Sequence, residues 1–375
     1  MVSMRCVLAP PLPGPPPPDP GLLDRVRYLG RRFPAARVRE VPLVRAADLD
    51  HRADPTGTTR VWLALEALQV TGSFQVRGAL VALAALMARD GGRRVVAPSV
   101  GNHGIAVAYV ACLLGMSATV VVPRTAPRTK REKIERYGAE LVVSAADGYE
   151  SAEALARQIA VTQGAAYMAP TDDVDLVLGN GCSLGFEIVR GLGGVPERML
   201  APFGAGGLAT GLAWALASEA APGTQERAVW GVQSDASCAM ARWLERAPSG
   251  TMSSTEPSVL ETNGLTSLAE ELSHGPSVDD FLRARSAVAG VLVITEEWVA
   301  EAMAHAYRDM GLILEGTAAV ALAPVLFGLP EALRGGDLVA VLTGRNVDPE
   351  RLEAVVSRAS QGACSPAVRP TMRSK

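Results

Sequence analysis

Paired cysteines are missing from this chain of 375 residues: Cys6, Cys112, Cys182, Cys238 and Cys364 stand far apart, with no C-x-x-C. That spacing excludes a disulfide framework and a zinc knuckle, and it fits a reducing cytoplasm. No run of Lys or Arg offsets a formal charge of -3, so no polyanion groove forms and nucleic acid is not an expected partner. The N-terminus lacks the apolar core of a signal peptide and turns early to proline; residues 10 to 21 read as a polyproline-type arm or a linker. A membrane partner is not expected either. The least charged stretch, 104 to 123, is split by Gly115 into a helix-like half and a β-branched half that ends at Pro123. A small molecule is left as the default partner.

What the chain does have is size and rhythm. With 48% hydrophobic and 20% charged residues, it can bury a sizeable core in one large or two medium domains. Short β-rich runs precede longer Ala/Leu-rich ones: RRVVAPS before 101–114, SATVVVP before 127–137, and AELVVSA before 149–163. The rhythm returns in RMLAPFG before 207–220, AVWGVQS before 236–246, and DLVAVLTG near the end. Strands alternating with helices predict βαβ units, hence an α/β fold with parallel sheets and ligands at the C-terminal ends of strands. Residues 248 to 290 are polar and irregular and read as a long loop crossing the core.

Two strand-to-helix turns carry chemical potential. FGAGGLATG, 203–211, sets Gly204, Gly206 and Gly207 before a helix. Glycine removes the Cβ that keeps backbone N–H groups away from an anion, and the helix start adds partial positive charge. The turn is either a phosphate cup or simply tight. In SVGNHG, 99–104, Asn102 offers an amide, while Ser99 and the helix-start N–H groups suit a carboxylate. The alternative is an N-cap with Asn102 and His103 satisfied internally. Further on, EGTAAVALA (315–323) sets a glutamate beside small residues, and LTGRNVD (342–348) puts the Thr343 hydroxyl at a strand end.

Taken in chain order, SFQVRG (73–78), SVGNHG, GAGGL (204–208), EGTAA (315–319) and TGRNVD (343–348) resemble the signature of the threonine/serine dehydratase group. These are fold type II pyridoxal 5'-phosphate (PLP) enzymes, like the tryptophan synthase β chain in fold, and the resemblance runs from about residue 60 to 350. It implies two open twisted sheets flanked by helices. A large PLP-binding domain (23–96 and 175–360) would carry an inserted, mobile small domain (97–174), beside a Pro-rich arm (1–22) and a polar tail (361–375). The cofactor phosphate would lie on Gly204, Ala205, Gly206, Gly207 and Leu208. Asn102 would contact the ring 3-hydroxyl, Thr343 the pyridine nitrogen, and Phe74 the ring face. Ser99, Val100, Gly101 and His103, with Asn102, would hold the carboxylate of an amino-acid substrate. A cytoplasmic homodimer is implied too, and no regulatory domain is expected in the short tail.

The family's Schiff-base lysine falls on Gln75. That lysine presents PLP as an imine and, once released, moves the Cα proton; an amide does neither. The chain contains only Lys130, Lys133 and Lys375. The resemblance puts the helix of Lys133 away from the cofactor, and Lys375 is the last residue, so no substitute is expected. Three explanations stand. Glutamine was installed for a native lysine to trap a complex; or a natural relative has lost catalysis and only binds; or a biosynthetic enzyme works without an internal aldimine. PLP would then be held non-covalently or as an external aldimine with the amino acid.

Other positions depart as well. Arg345 replaces a glycine of the family's S-G-G-N, where it meets an acidic substrate group or pairs at the surface. Gln233 stands where cation-dependent members carry a carboxylate; with only Asp235 nearby, no metal is expected. Val100 stands where a racemase needs a hydroxyl acid, which leaves elimination or β-replacement. The implied activity is a lyase converting a hydroxy- or β-substituted 2-amino acid to a 2-oxo acid and ammonia, blocked by Gln75. TSLAEELSHG, 266–275, is expected to border the substrate, with Glu270 and Glu271 suiting a cationic group or a solvated helix face.

Overall fold

Strands β4 (Arg94–Pro98), β5 (Ser117–Val122), β6 (Glu140–Val143), β8 (Arg198–Pro202), β9 (Val229–Ser234) and β11 (Gly336–Val341) coincide with the β-rich runs of the sequence. The structure is a computed structural model that describes residues 4–10, 21, 24, 26, 38–99, 101–171, 173–221, 227–246, 267–272 and 277–362. The remaining strands are β1 (Arg5–Leu8), β2 (Leu43–Arg45), β3 (Thr59–Ala64), β7 (Ala166–Tyr167) and β10 (Gly290–Ile294).

Two sheets result. One has seven strands in the order β1-β10-β9-β8-β11-β3-β2, and the other four in the order β6-β5-β4-β7. The smaller sheet is parallel throughout, and the larger is parallel from β10 to β3 with antiparallel β1 and β2 at its edges. Strands β8, β9 and β10 are buried along almost their whole length, as parallel strands covered on both faces must be. Their residues are accordingly apolar without alternation.

Helices α1 (Gln75–Asp90), α2 (Asn102–Leu114), α3 (Arg128–Arg136) and α4 (Tyr149–Gln163) belong to the first half of the chain. In the second half, α5 (Ser183–Leu192), α6 (Gly207–Glu219), α7 (Ala239–Arg246) and α8 (Val278–Ala284) precede α9 (Glu296–Arg308), α10 (Gly316–Phe327) and α11 (Pro349–Gly362). Helix α2 stops at Gly115, whose φ of +68° suits a residue without a Cβ, and β5 begins two residues later. The uncharged stretch 104–123 is therefore a helix and a strand. Among the described residues no helix is long and apolar enough to cross a membrane. Val76, Leu80 and Leu83 of α1 pack with Ile105, Ala106 and Val110 of α2 in one apolar cluster. Leu83 and Ile105 are fully buried, and truncating either to alanine costs roughly 2–5 kcal/mol.

Two expectations need correcting. The stretch 248–290 is not one irregular loop. Its described parts hold the turn Glu270–Leu272, helix α8 and the start of β10, which lies between β1 and β9 in the large sheet. Ser277 and Asp280 cap α8 reciprocally, a signal present in the sequence as Ser-x-x-Asp. Residues 247–266 and 273–276 lie outside the described residues. Ahead of the prolines, Arg5–Leu8 pairs with β10, Arg5 opposite Val293, so these residues are an edge strand and not an arm. The prolines of 11–20 and the tail 363–375 also lie outside the described residues.

Candidate active site

The C-terminal ends of β4, β8 and β11 and the start of α1 surround a cavity of about 380 Å³. On one wall is the glycine turn after β8. Gly206 has φ +87°, and a Cβ there would stand 2.2 Å from the Cβ of Ala284, so only glycine fits. Helix α6 opens at Gly207, and its first-turn N–H groups have no intrahelical acceptor. Their partial positive charge lies at the cavity wall with Gly204, Ala205 and Leu208.

Thr343, just beyond β11, lines the same cavity. It is 2% exposed, and its Oγ1 has no hydrogen-bond partner. A buried hydroxyl left unpaired is costly and asks for a ligand. Phe74 and Gln75 form a further stretch of wall where α1 begins.

The loop after β4 is tied by Ser99. Its Oγ accepts from the N–H groups of Gly101 and Gly104, both at 2.8 Å. His103 bonds through Nε2 to the Met168 carbonyl at 3.1 Å, and burial pushes its pKa down, so the ring stays neutral. Val100 lies outside the described residues.

Asn102 is held on three sides. Its Nδ2 donates to Glu315 Oε1 at 2.7 Å, and its Oδ1 accepts from Asn346 Nδ2 at 2.7 Å. Its backbone N–H donates to Glu271 Oε1 at 3.2 Å. Asn346 also donates to the Thr71 carbonyl at 3.0 Å and accepts from Lys133. Lys133, expected away from the cofactor, therefore supports the residue expected to touch it.

Neither the place of Lys130 in this site nor the burial of Glu271 is among the expectations from the sequence. Lys130 Nζ lies 3.0 Å from Glu271 Oε1 and 3.6 Å from Glu315 Oε2, with only 4% of the side chain exposed. Glu271 Oε2 accepts from Gln75 Nε2 at 3.1 Å. A lysine thus stands one carboxylate away from Gln75. The signal was available: Lys130 and Lys133 are three apart on α3 and share a face. Burial opposes the Lys130 charge, but the two carboxylates outweigh it and raise its pKa. Burial likewise opposes ionised Glu271, which Lys130 and the donors from Asn102 hold below its usual value. Burial pushes Glu315 up to about 7, with the Glu271 charge adding and Lys130 opposing. One ammonium thus faces two carboxylates, only one of which is readily ionised.

Arg345 is not among the residues lining this cavity. Its backbone N–H donates to Gly72 O at 2.9 Å, while burial and nearby Arg39 lower its guanidinium pKa. Gln233 is a strut: its Nε2 donates to Phe203 O at 2.7 Å and its Oε1 accepts from Ala241 N at 2.9 Å. Among the described residues no group of three or more His, Cys, Asp or Glu could hold a metal ion.

Most of these donors fit PLP. The glycine turn at a helix start suits its phosphate, and the unpartnered Thr343 hydroxyl suits its ring nitrogen. No side-chain amine stands at position 75, where the resemblance calls for one.

Comparison with known proteins points the same way. A family model described as pyridoxal-phosphate dependent enzyme matches residues 36–344. An L-threonine ammonia-lyase of Thermotoga maritima is 31% identical over 299 residues, 80% of this chain and 70% of that protein. A protein named putative threonine dehydratase, from Sinorhizobium fredii, is 32% identical over 293 residues, 77% of this chain and 83% of its own length. Among solved structures, a T.th. threonine deaminase has a TM-score of 0.72 and 31% identity, covering 87% of this chain and 98% of that one. The diaminopropionate ammonia lyase of Escherichia coli reaches a TM-score of 0.80 over 96% of this chain and 98% of its own. Its 17% identity makes that a likeness of fold alone. PLP is the cofactor that the family and these relatives imply. The α/β sheets, the matched residues 36–344 and the identity to threonine ammonia-lyases establish that the chain belongs to the pyridoxal-phosphate dependent enzymes of fold type II.

Proposed function

We propose that this protein is a PLP-dependent amino-acid lyase of the threonine/serine dehydratase type, with its turnover blocked at Gln75. The substrate is a 2-amino acid with a β leaving group, and the products are a 2-oxo acid and ammonia. The observation that carries this reading is the convergence on one cavity of a glycine turn at a helix start, an unpartnered buried hydroxyl and N–H donors that suit a carboxylate.

When bound, PLP supplies an electron sink for charge developing at Cα. The residues of the chain do the rest. The turn Gly204–Leu208 binds the phosphate, the Thr343 hydroxyl engages the ring nitrogen, and Phe74 keeps water off the ring. The loop Ser99–His103 orients the substrate carboxylate. Gln75 takes the place of the lysine and can neither accept nor return the Cα proton, since an amide is not basic at neutral pH. A missing general base lowers the rate on the order of 10² to 10⁴. Closure of residues 97–174 over the cavity, a homodimer and a cytoplasmic location belong to the same reading.

The test is product formation by Gln75→Lys supplied with PLP. The expected result is 2-oxo acid from L-threonine or L-serine in the variant and none in the parent. No product from a panel of β-substituted amino acids would sink the proposal. A second reading, a natural lysine-less binding protein or repurposed enzyme, is favoured by one observation: the Gln75 amide is built into the Glu271 network. It predicts PLP uptake by the parent and no activity gained by Gln75→Lys.

A further inference from the structure

The site contains a carboxylate of its own. Glu271 reaches in from the turn Glu270–Leu272, while its neighbour Glu270 pairs with Arg351. Donors from three elements converge on it. The Asn102 N–H at the start of α2 and Lys130 Nζ from α3 meet Oε1 at 3.2 and 3.0 Å, and Gln75 Nε2 at the start of α1 meets Oε2 at 3.1 Å. The Lys130 stem runs against the loop so closely that a Cβ on Gly101 would stand 2.1 Å from its Cδ. Packing therefore fixes the ammonium beneath the start of α2. An ammonium, a helix-start N–H and an amide N–H around two oxygens make a complete carboxylate receptor.

We propose that Lys130, the Asn102 N–H and the Gln75 amide are the receptor for the α-carboxylate of the ligand, and that Glu271 fills it until the ligand displaces it. The inference rests on reading the cavity as an amino-acid site. Like charges explain why the two carboxylates exchange and do not share. A ligand carboxylate placed beside an ionised Glu271, with Glu315 also close to Lys130, would set several acids around one ammonium. Exchange leaves the balance unchanged. Gln75 gains a role as well: its amide donates to whichever carboxylate fills the receptor, as it now does to Glu271 Oε2.

Occupation by Glu271 lowers the apparent affinity for an amino acid by the fraction of time the receptor is free. If Glu271 fills it nine-tenths of the time, its removal tightens binding about tenfold.

The experiment reads binding and not turnover. PLP uptake by the full chain is followed by absorbance. The loaded protein is then titrated calorimetrically with L-threonine and with 1-aminopropan-2-ol, the same molecule without its carboxylate. Glu271→Gln and Glu271→Ala are expected to tighten L-threonine about tenfold and leave 1-aminopropan-2-ol within about twofold. Adding Lys130→Met to Glu271→Gln is expected to remove the gain. Unchanged or weaker L-threonine binding in both Glu271 variants, with folding intact by circular dichroism, overturns the proposal, as does equal tightening of both ligands. Failure to take up PLP sinks the cofactor reading instead, and the same titrations on the chain without PLP then decide the receptor.

Discussion

Gly206→Ala bears on the phosphate turn more sharply than any other single substitution. At φ +87° an L side chain is strained by about 1–2 kcal/mol. The new Cβ would also lie 2.2 Å from Ala284 Cβ and 3.2 Å from Phe203 Cε2. Ala284 and Phe203 are buried on α8 and at the end of β8, so neither yields without moving its element. Overpacking of this kind adds typically about 1–3 kcal/mol. The turn must shift, and the N–H groups of α6 shift with it. We expect Gly206→Ala to lose roughly 2–5 kcal/mol of stability in urea and to weaken PLP uptake more than tenfold, which corresponds to about 1.4 kcal/mol. Gly207→Ala is the control. Its Cβ would meet nothing nearer than Val177 Cγ2 at 3.5 Å, so its stability in urea should stay near the parent's. Parent-like PLP uptake by Gly206→Ala at reduced stability would refute the assignment of this turn to the phosphate.

Other perturbations separate ligand contacts from scaffold. Thr343→Val removes a buried hydroxyl with no partner, so the ligand-free protein should gain about 1 kcal/mol in urea unfolding while PLP uptake weakens several-fold; loss of both would contradict the role given to Thr343. Arg77, within the SFQVRG motif, meets Glu66 and Glu187 at 2.8 and 2.7 Å with 2% of its side chain exposed. Arg77→Met should cost roughly 3–5 kcal/mol by stranding Glu66, as read from the denaturation midpoint, and a loss under about 1 kcal/mol would show that the pair is not sealed from water. Burial would raise the Asp54 carboxyl, but six hydrogen bonds from the N–H and hydroxyl groups of Thr56, Thr58 and Thr59 hold it well below the usual range. Its folded pKa is depressed, so its stabilisation is full above the ordinary value of 3.8 and is lost as pH falls below it. Asp54→Asn should therefore flatten the acid limb of the stability curve, and an unchanged limb would contradict this.

The strands that read clearly in the sequence are those with continuous apolar runs, such as SATVVVP and AVWGVQS, because burial on both faces leaves no alternation to misread. Strand β10 was hidden for a different reason. GVLVI is equally apolar, but it directly follows the polar stretch 248–290, whose irregular composition hides the helix capped by Ser277 and Asp280 and with it the strand-helix rhythm. The glycine turn and the loop at Asn102 were legible because their chemistry lies in the backbone, which local spacing dictates. Lys130 and Glu271 were not. They meet from α3 and the turn at 270–272, 141 residues apart, and only tertiary packing turns a lysine on a charged helix into a buried ion pair. Arg345 invited a functional reading from its place in a motif, yet motif position does not decide which way a long side chain turns.

The most direct measurement is an absorbance titration of the unaltered chain with PLP, with and without L-threonine, followed by borohydride reduction and mass spectrometry. The account predicts saturable uptake, a band shift only when the amino acid is present, and no label left on the protein. No uptake at any PLP concentration, or PLP fixed by reduction to Lys130, would contradict a cofactor site that works without a lysine anchor.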